Sequence, residues 1–164
     1  MTLGFKTDAH GERENDFPRI VIKVDGRALP MLLDSGAMTV LTPAAMRTLR
    51  DGLPAERATS MIVASLFDAW HKAHPDWRII EDAQAGTHCA MIEVPQVEIA
   101  GKTVGPVWFT ERPDKNFHQF MSGMMSGQVE GSIGGNALGH FVMTIDYPHA
   151  MAYFRCVLAC KPGA

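Results

Sequence analysis

The sequence predicts a mainly β domain of short hairpins carrying a few short helices, and three stretches predict it. Arg19-Ile20-Val21-Ile22-Lys23-Val24 alternates into Asp25-Gly26, a two-residue hairpin signal, and Ala28-Leu29-Pro30-Met31-Leu32-Leu33 returns as a second strand. Gln96-Val97-Glu98-Ile99 alternates again and turns at Ala100-Gly101-Lys102; Val104 then leads through Pro106 into Val107-Trp108-Phe109-Thr110 as the expected partner strand. Phe141 to Ile145 and Ala152-Tyr153-Phe154 read as a closing hairpin around Asp146-Tyr147-Pro148-His149. At 164 residues, with 46% hydrophobic and 20% charged content, the chain is long enough for one compact domain with a real core.

The elements between these hairpins follow in order. Thr42 is a good N-cap, Pro43 suits the first helical position, and Ala44 to Leu49 are helix formers, so a short helix follows with Met46 and Leu49 facing the core. A second helix is expected over Ala58 to His74, where Met61, Ile62, Leu66, Phe67, Ala69 and Trp70 recur at spacings of three and four until Pro75 stops it. Its apolar stripe suits core packing, a substrate groove or a dimer contact. Trp77-Arg78-Ile79-Ile80 and Cys89 to Val94 flank a polar turn, Glu81 to His88, as a further hairpin. Asp114 to Gln128 carries Phe117, Phe120, Met121, Met124 and Met125 around Gly123 and Gly127. That segment reads as a short helix or irregular lid, serving as core packing, a cover or a peptide-binding surface. Asn136 to Gly139 is a last helical turn.

Composition removes several function classes. A net charge of −3 and scattered Lys and Arg offer no surface for nucleic acid. No apolar run approaches a membrane span, and Met1 to Asp8 lacks the apolar core of a signal peptide, so the chain as written reads as cytoplasmic; a trimmed export signal leaves no trace in such a sequence. Cys89, Cys156 and Cys160 are too few for a disulfide framework, although Cys156 and Cys160 are spaced to pair or to form half of a metal site. The histidines show no ligand spacing that would complete a zinc site, so no metal is expected. No Gly-Xaa-Ser-Xaa-Gly elbow, phosphate-binding loop, dinucleotide fingerprint or His-Glu-Xaa-Xaa-His helix is present.

The chemistry-bearing stretch is Leu32-Leu33-Asp34-Ser35-Gly36-Ala37, an apolar strand that runs into a carboxylate, a hydroxyl and a glycine. Asp-Ser-Gly is also an ordinary turn sequence, because Asp and Ser bond their own backbone and Gly accepts positive φ. A strand, tight turn and strand ending in Asp-Ser-Gly-Ala is more specific. Downstream, Gly131-Ser132-Ile133-Gly134-Gly135-Asn136 is followed by the strand-like Phe141 to Tyr147. Together these motifs resemble the two ends of the retropepsin-like aspartic proteases, the single-domain dimeric type found in bacteria. Ser132 stands where that family's second signature has an apolar residue.

The resemblance covers Phe17 to Phe154 and implies a closed, mainly antiparallel β-barrel with short helices and a helical insertion. It divides the chain into a polar N-terminal extension over 1–16, the protease domain over 17–155 and a tail over 156–164. It implies an endopeptidase without cofactor that acts on protein or peptide substrates. Asp34 is then the water-activating acid, with Ser35 and Gly36 supporting it. Ala37, Ile133 and Gly134 are assigned to substrate contact, Ile133 and Gly134 also threading the loop behind the carboxylate. The chain offers one such acid, so the second Asp34 must come from another copy across a two-fold axis, and a homodimer is expected. Asp146 is the alternative partner carboxylate, although its place before Tyr147-Pro148 suits turn capping. The hairpin around Glu81 to His88 resembles the family's flap, which assigns Trp77 and Gly86 to substrate; Trp77 equally suits a core anchor. Because the two acids share one proton, activity is expected to favour acidic to mildly acidic pH. The same fold without the chemistry would be a peptide-binding or assembly module.

Overall fold

A computed structural model of the chain describes residues 1–163. In order the elements are β1 (Arg19–Val24), β2 (Arg27–Leu33), β3 (Met38–Val40), α1 (Pro43–Leu49), β4 (Glu56–Ala58), β5 (Ser60–Val63) and α2 (Ala64–Ala73). They continue with β6 (Ile79–Ile80), β7 (Met91–Val94), β8 (Val97–Ile99), β9 (Lys102–Val104) and β10 (Val107–Arg112). A π-helical turn over Asn116–Met121 and a 3₁₀ turn over Ser122–Met124 follow, then β11 (Gly131–Ile133), α3 (Gly135–Leu138), β12 (Phe141–Asp146), β13 (Met151–Cys156) and β14 (Lys161–Pro162).

The fold is mainly β, as the hairpin signals predict. Asp25 and Gly26 both take positive φ, 50° and 73°, the two-residue turn whose twist matches flanking strands, and it pairs Arg19 with Leu32 through Val24 with Arg27. Thr42 caps α1 by accepting from the Ala45 amide at 3.1 Å. The closing hairpin forms as β12 against β13, a separate two-stranded sheet.

The expected closed antiparallel barrel does not form. The main sheet has ten strands in the order β14-β9-β8-β1-β2-β11-β5-β10-β7-β6, mixed in direction and open at both ends. Two of its pairs are parallel, β11 with β2 and β10 with β5. The short β11 inserts between β2 and β5 and runs antiparallel to β5, so the sheet cannot be antiparallel throughout.

Two local expectations also give way. Residues 58–63 are not helical: β4 and β5 occupy them and α2 begins only at Ala64. Met61 and Ile62 fit a helical spacing with Leu66, but β5 is hydrogen-bonded on both sides, by β11 and β10, and tertiary pairing overrides the local pattern. The strand after Pro106 does not pair with β8; β9 takes that place, while β10 crosses to β5 and β7. The N-terminal stretch packs on the domain. Leu3 is 3% exposed and donates its amide to the Ala150 carbonyl at 2.8 Å, and Gly4 bridges Arg19. Cys156 and Cys160 form a disulfide, and β14 adds the tail to the sheet beside β9. No described helix is long and apolar enough to cross a membrane.

The core lies between the main sheet and the elements packed on it, α2 among them. Phe109 of β10 is fully buried and meets the edge of Trp70 of α2 at 5.4 Å, which ties that helix to the sheet. Phe109→Ala should lower the unfolding free energy by about 3–5 kcal/mol, measured by urea denaturation, because it leaves a cavity at that junction.

Candidate functional site

At the end of β2 the apolar Leu32 and Leu33 are buried and the chain turns at Asp34. The Gly36 amide donates to Asp34 Oδ1 at 3.1 Å and the Ala37 amide to the Asp34 carbonyl at 3.2 Å, so the side chain organises its own turn. The Asp34 amide donates to the Ile133 carbonyl at 3.0 Å, which fastens this turn to the end of β11.

Immediately after Ile133 the two segments cross at very short range. A Cβ on Gly134 would lie 1.8 Å from the Thr59 carbonyl oxygen and 3.3 Å from the Ala37 Cβ, so only glycine fits. The Thr59 amide donates to the Ala37 carbonyl at 3.0 Å, and the Gly134 amide donates to Ser60 Oγ at 3.0 Å. Ser60 Oγ in turn donates to Asn136 Oδ1 at 2.8 Å, and Asn136 Nδ2 to the Trp108 carbonyl at 2.7 Å. This chain of bonds, with the buried Thr59 and Thr110 hydroxyls 2.8 Å apart, fixes the floor behind Asp34.

Asp34 and Ser35 border an open cleft of about 780 Å³. Leu32, Leu33 and Met61 line its floor, and Phe17 and Pro18 of the N-terminal stretch with Met143, Ile145 and Tyr147 add to its walls. Phe117, Phe120, Met121 and Met124, from the segment between β10 and β11, supply its cover. Phe120 is 69% exposed at this rim. The cover is tied down by polar bonds: the Ser65 amide to Asp114 Oδ1 at 2.9 Å, Asn15 Nδ2 to the Met124 carbonyl at 2.8 Å, and His118 Nε2 with Glu130 Oε2 at 2.8 Å. The bond from Ser65 to Asp114 holds that carboxyl below its ordinary value.

Of the residues assigned from sequence, Asp34, Ser35, Gly36, Ala37, Ile133 and Gly134 come together at this crossing. Asp34 is half-buried, Ser35 and Gly36 are exposed, and Ala37, Ile133 and Gly134 are buried. Trp77 and Gly86 lie elsewhere. Trp77 stacks on His74 at 4.1 Å and meets the edge of Trp70 at 6.0 Å, the core-anchor alternative. Gly86 is exposed on a loop held to β3 and α1 by bonds from the Ala85 amide to the Val40 carbonyl and from the Thr42 amide to the Ala83 carbonyl, 2.8 and 2.9 Å. The buried Ala83 gives that loop an apolar anchor there, away from the cleft.

Asp146 caps its own turn. It accepts from the His149 amide at 3.2 Å and faces His149 Nδ1 at 2.8 Å, an interaction that holds its carboxyl below the usual range. Among the described residues, Asp16 and Asp34 are the carboxylates at the cleft, and Asp16 pairs with Arg13 at 3.2 Å. No group of three or more metal-ligating side chains gathers among the described residues. Arg112, at the end of β10, and the aromatic Phe17 also border the cleft and were not singled out from sequence. The signal for the first is a basic residue that closes a strand opening on Val107-Trp108-Phe109. No protein-family model matches the chain, and no curated protein or solved structure is significantly similar to it.

Gly134→Ala should cost about 3 kcal/mol or more in urea denaturation, because the new methyl meets a backbone carbonyl that cannot swing away. Acid should loosen the cover. Asp114 contributes stability above its unfolded pKa and loses it as pH falls through its lowered folded value. The stability gap between the wild-type chain and Asp114→Ala, measured by thermal melting, should therefore be widest near neutrality and shrink below about pH 4.

Proposed function

We propose that this chain is one half of an aspartic endopeptidase, with two copies related by a two-fold axis bringing their Asp34 carboxylates together. The observation that carries the reading is a half-buried carboxylate on a turn locked by a neighbouring glycine crossing, set at the floor of a wide apolar cleft. Gly36 holds Oδ1, and Oδ2 has no protein hydrogen bond among the described residues, which leaves it for water. The exposed Ser35 and Gly36, with Met38 and Val40 of β3 at 44% and 45% exposure, give a second copy an accessible and partly apolar surface beside the acid.

In such a pair one carboxylate is ionised and the other protonated. The ionised group takes a proton from water as its oxygen attacks the peptide carbonyl carbon, and the protonated group gives its proton to the carbonyl oxygen. The tetrahedral diol then collapses as the nitrogen gains a proton, the C–N bond breaks and a carboxylic acid and an amine leave. Apolar walls exclude water from the reacting centre and suit an extended peptide with bulky apolar side chains.

A second reading keeps the cleft and drops the hydrolysis. The methionine-rich cover and the exposed Phe120 favour it, since flexible thioethers grip varied apolar side chains without any chemistry.

Cleavage of a denatured mixed protein substrate by the wild-type chain and by Asp34→Asn, with dimer content followed by light scattering, separates the two. The peptidase should cut as a dimer, faster as pH falls from neutrality toward about 5, and lose about 10²–10⁴-fold in rate in the variant dimer. A folded wild-type dimer that binds peptide without cutting it would leave the binding module as the function.

A further inference from the structure

Arg112 is the one cation among the described residues that border the cleft. Its Nη1 donates to the Glu111 carbonyl at 2.8 Å, and the Cys89 thiol lies beside it. Arg13, Arg57 and Arg78 each hold a carboxylate within ion-pair distance, and among the described residues Arg112 holds none. A guanidinium carries five donors in a planar fork, so most of its capacity is unspent at a half-buried position. Burial there pulls its pKa below the ordinary value. The neighbouring Glu111 carboxylate favours its charge through space but forms no ion pair with it, and a partly desolvated cation without a paired carboxylate is a cost that a bound one recovers.

Strand register shows that Asp34 is not the missing partner. Arg112 is level with Val63 on β5, the Val63 amide bonds the Glu130 carbonyl before β11, and the Glu130 amide bonds the Pro30 carbonyl on β2. Arg112 is thus level with Pro30, four residues before Asp34, and β11 and β5 separate its strand from β2. With strands about 4.8 Å apart and a rise of about 3.3 Å per residue, the two backbones lie roughly 20 Å from each other. Met61, Phe117 and Met121 border the cleft together with these two residues and make its surface apolar.

We propose that Arg112 is an acid-selecting subsite, binding a carboxylate side chain of an extended peptide roughly three to five residues from the scissile bond. The distance follows from the backbone separation less the lengths of the two side chains. The inference rests on the peptidase reading of the same cleft and adds a substrate class to it: apolar residues around the cut, with an acidic residue beyond them. A two-fold pair carries one Arg112 in each half of the groove, so an acid on either side of the cut suffices.

The test uses short fluorescein-labelled peptides with two apolar residues at the centre and either Glu or Gln three, four or five residues away. Binding is measured by anisotropy to the full chain carrying Asp34→Asn, and cleavage by the wild-type chain. The Glu peptide should bind, and be cut at kcat/KM, about 10-fold or more better than its Gln counterpart at one of these positions. Arg112→Gln should bring that ratio close to one, and Arg112→Lys, which keeps the charge and loses the fork, should retain part of it. Equal treatment of Glu and Gln peptides, a preference that survives Arg112→Gln, or loss of all peptide binding by both Arg112 variants overturns the subsite. A preference in binding that depends on Arg112 without any cleavage by the wild-type chain upholds the subsite and overturns the peptidase reading instead.

Discussion

Gly134 passes so close to the Thr59 carbonyl that no side chain fits between them, and this contact governs the rest of the molecule. It lets β11 lie between β2 and β5, parallel to the first and antiparallel to the second, and brings the Ile133 carbonyl to the Asp34 amide. The polar bonds from Ser60 through Asn136 to Trp108 then anchor the crossing to β10. The Ser60 hydroxyl and the Asn136 amide are stable there because each finds hydrogen-bond partners, and a network of that kind holds a geometry more rigidly than apolar packing does.

Around this rigid floor the cleft is assembled from softer parts. Its cover is a π-helical turn and a 3₁₀ turn rich in Met and Phe, joined to the body through side-chain bonds at Asp114, Asn15 and His118. Irregular helical turns are common where a chain is shaped by function, and thioether side chains adapt to what they cover. One wall belongs to the N-terminal stretch, where Arg13 sits over the Phe5 ring at 3.8 Å and Phe17 reaches the cleft. The molecule thus sets a fixed carboxylate against an adaptable apolar surface.

Local rules were enough where the chain itself closes the structure. The Asp25-Gly26 turn, the Thr42 cap with Pro43, and the β12–β13 hairpin involve neighbours in sequence, and each formed where its residues indicated. They were not enough over residues 58–63, where a helical spacing of apolar residues became a central strand, because a buried strand and a buried helix present similar runs to a reader of sequence. Trp77 was ambiguous for a related reason: an aromatic near a turn packs equally well into a core or a cleft, and His74 and Trp70 decided for the core.

The candidate site divides along the same line. The amino-acid sequence by itself determined that a carboxylate would stand at a strand end in an Asp-Ser-Gly turn, and that a glycine-rich loop would follow far downstream, since both are encoded in adjacent residues. Only the tertiary structure decided that the sheet stays open, that the segment after β10 lines the cleft while the loop around Gly86 packs on β3 and α1, and that Arg112 borders it. Those outcomes rest on pairings between residues tens of positions apart, such as Ser132 with Leu32 and Arg112 with Val63, and no local propensity carries that information.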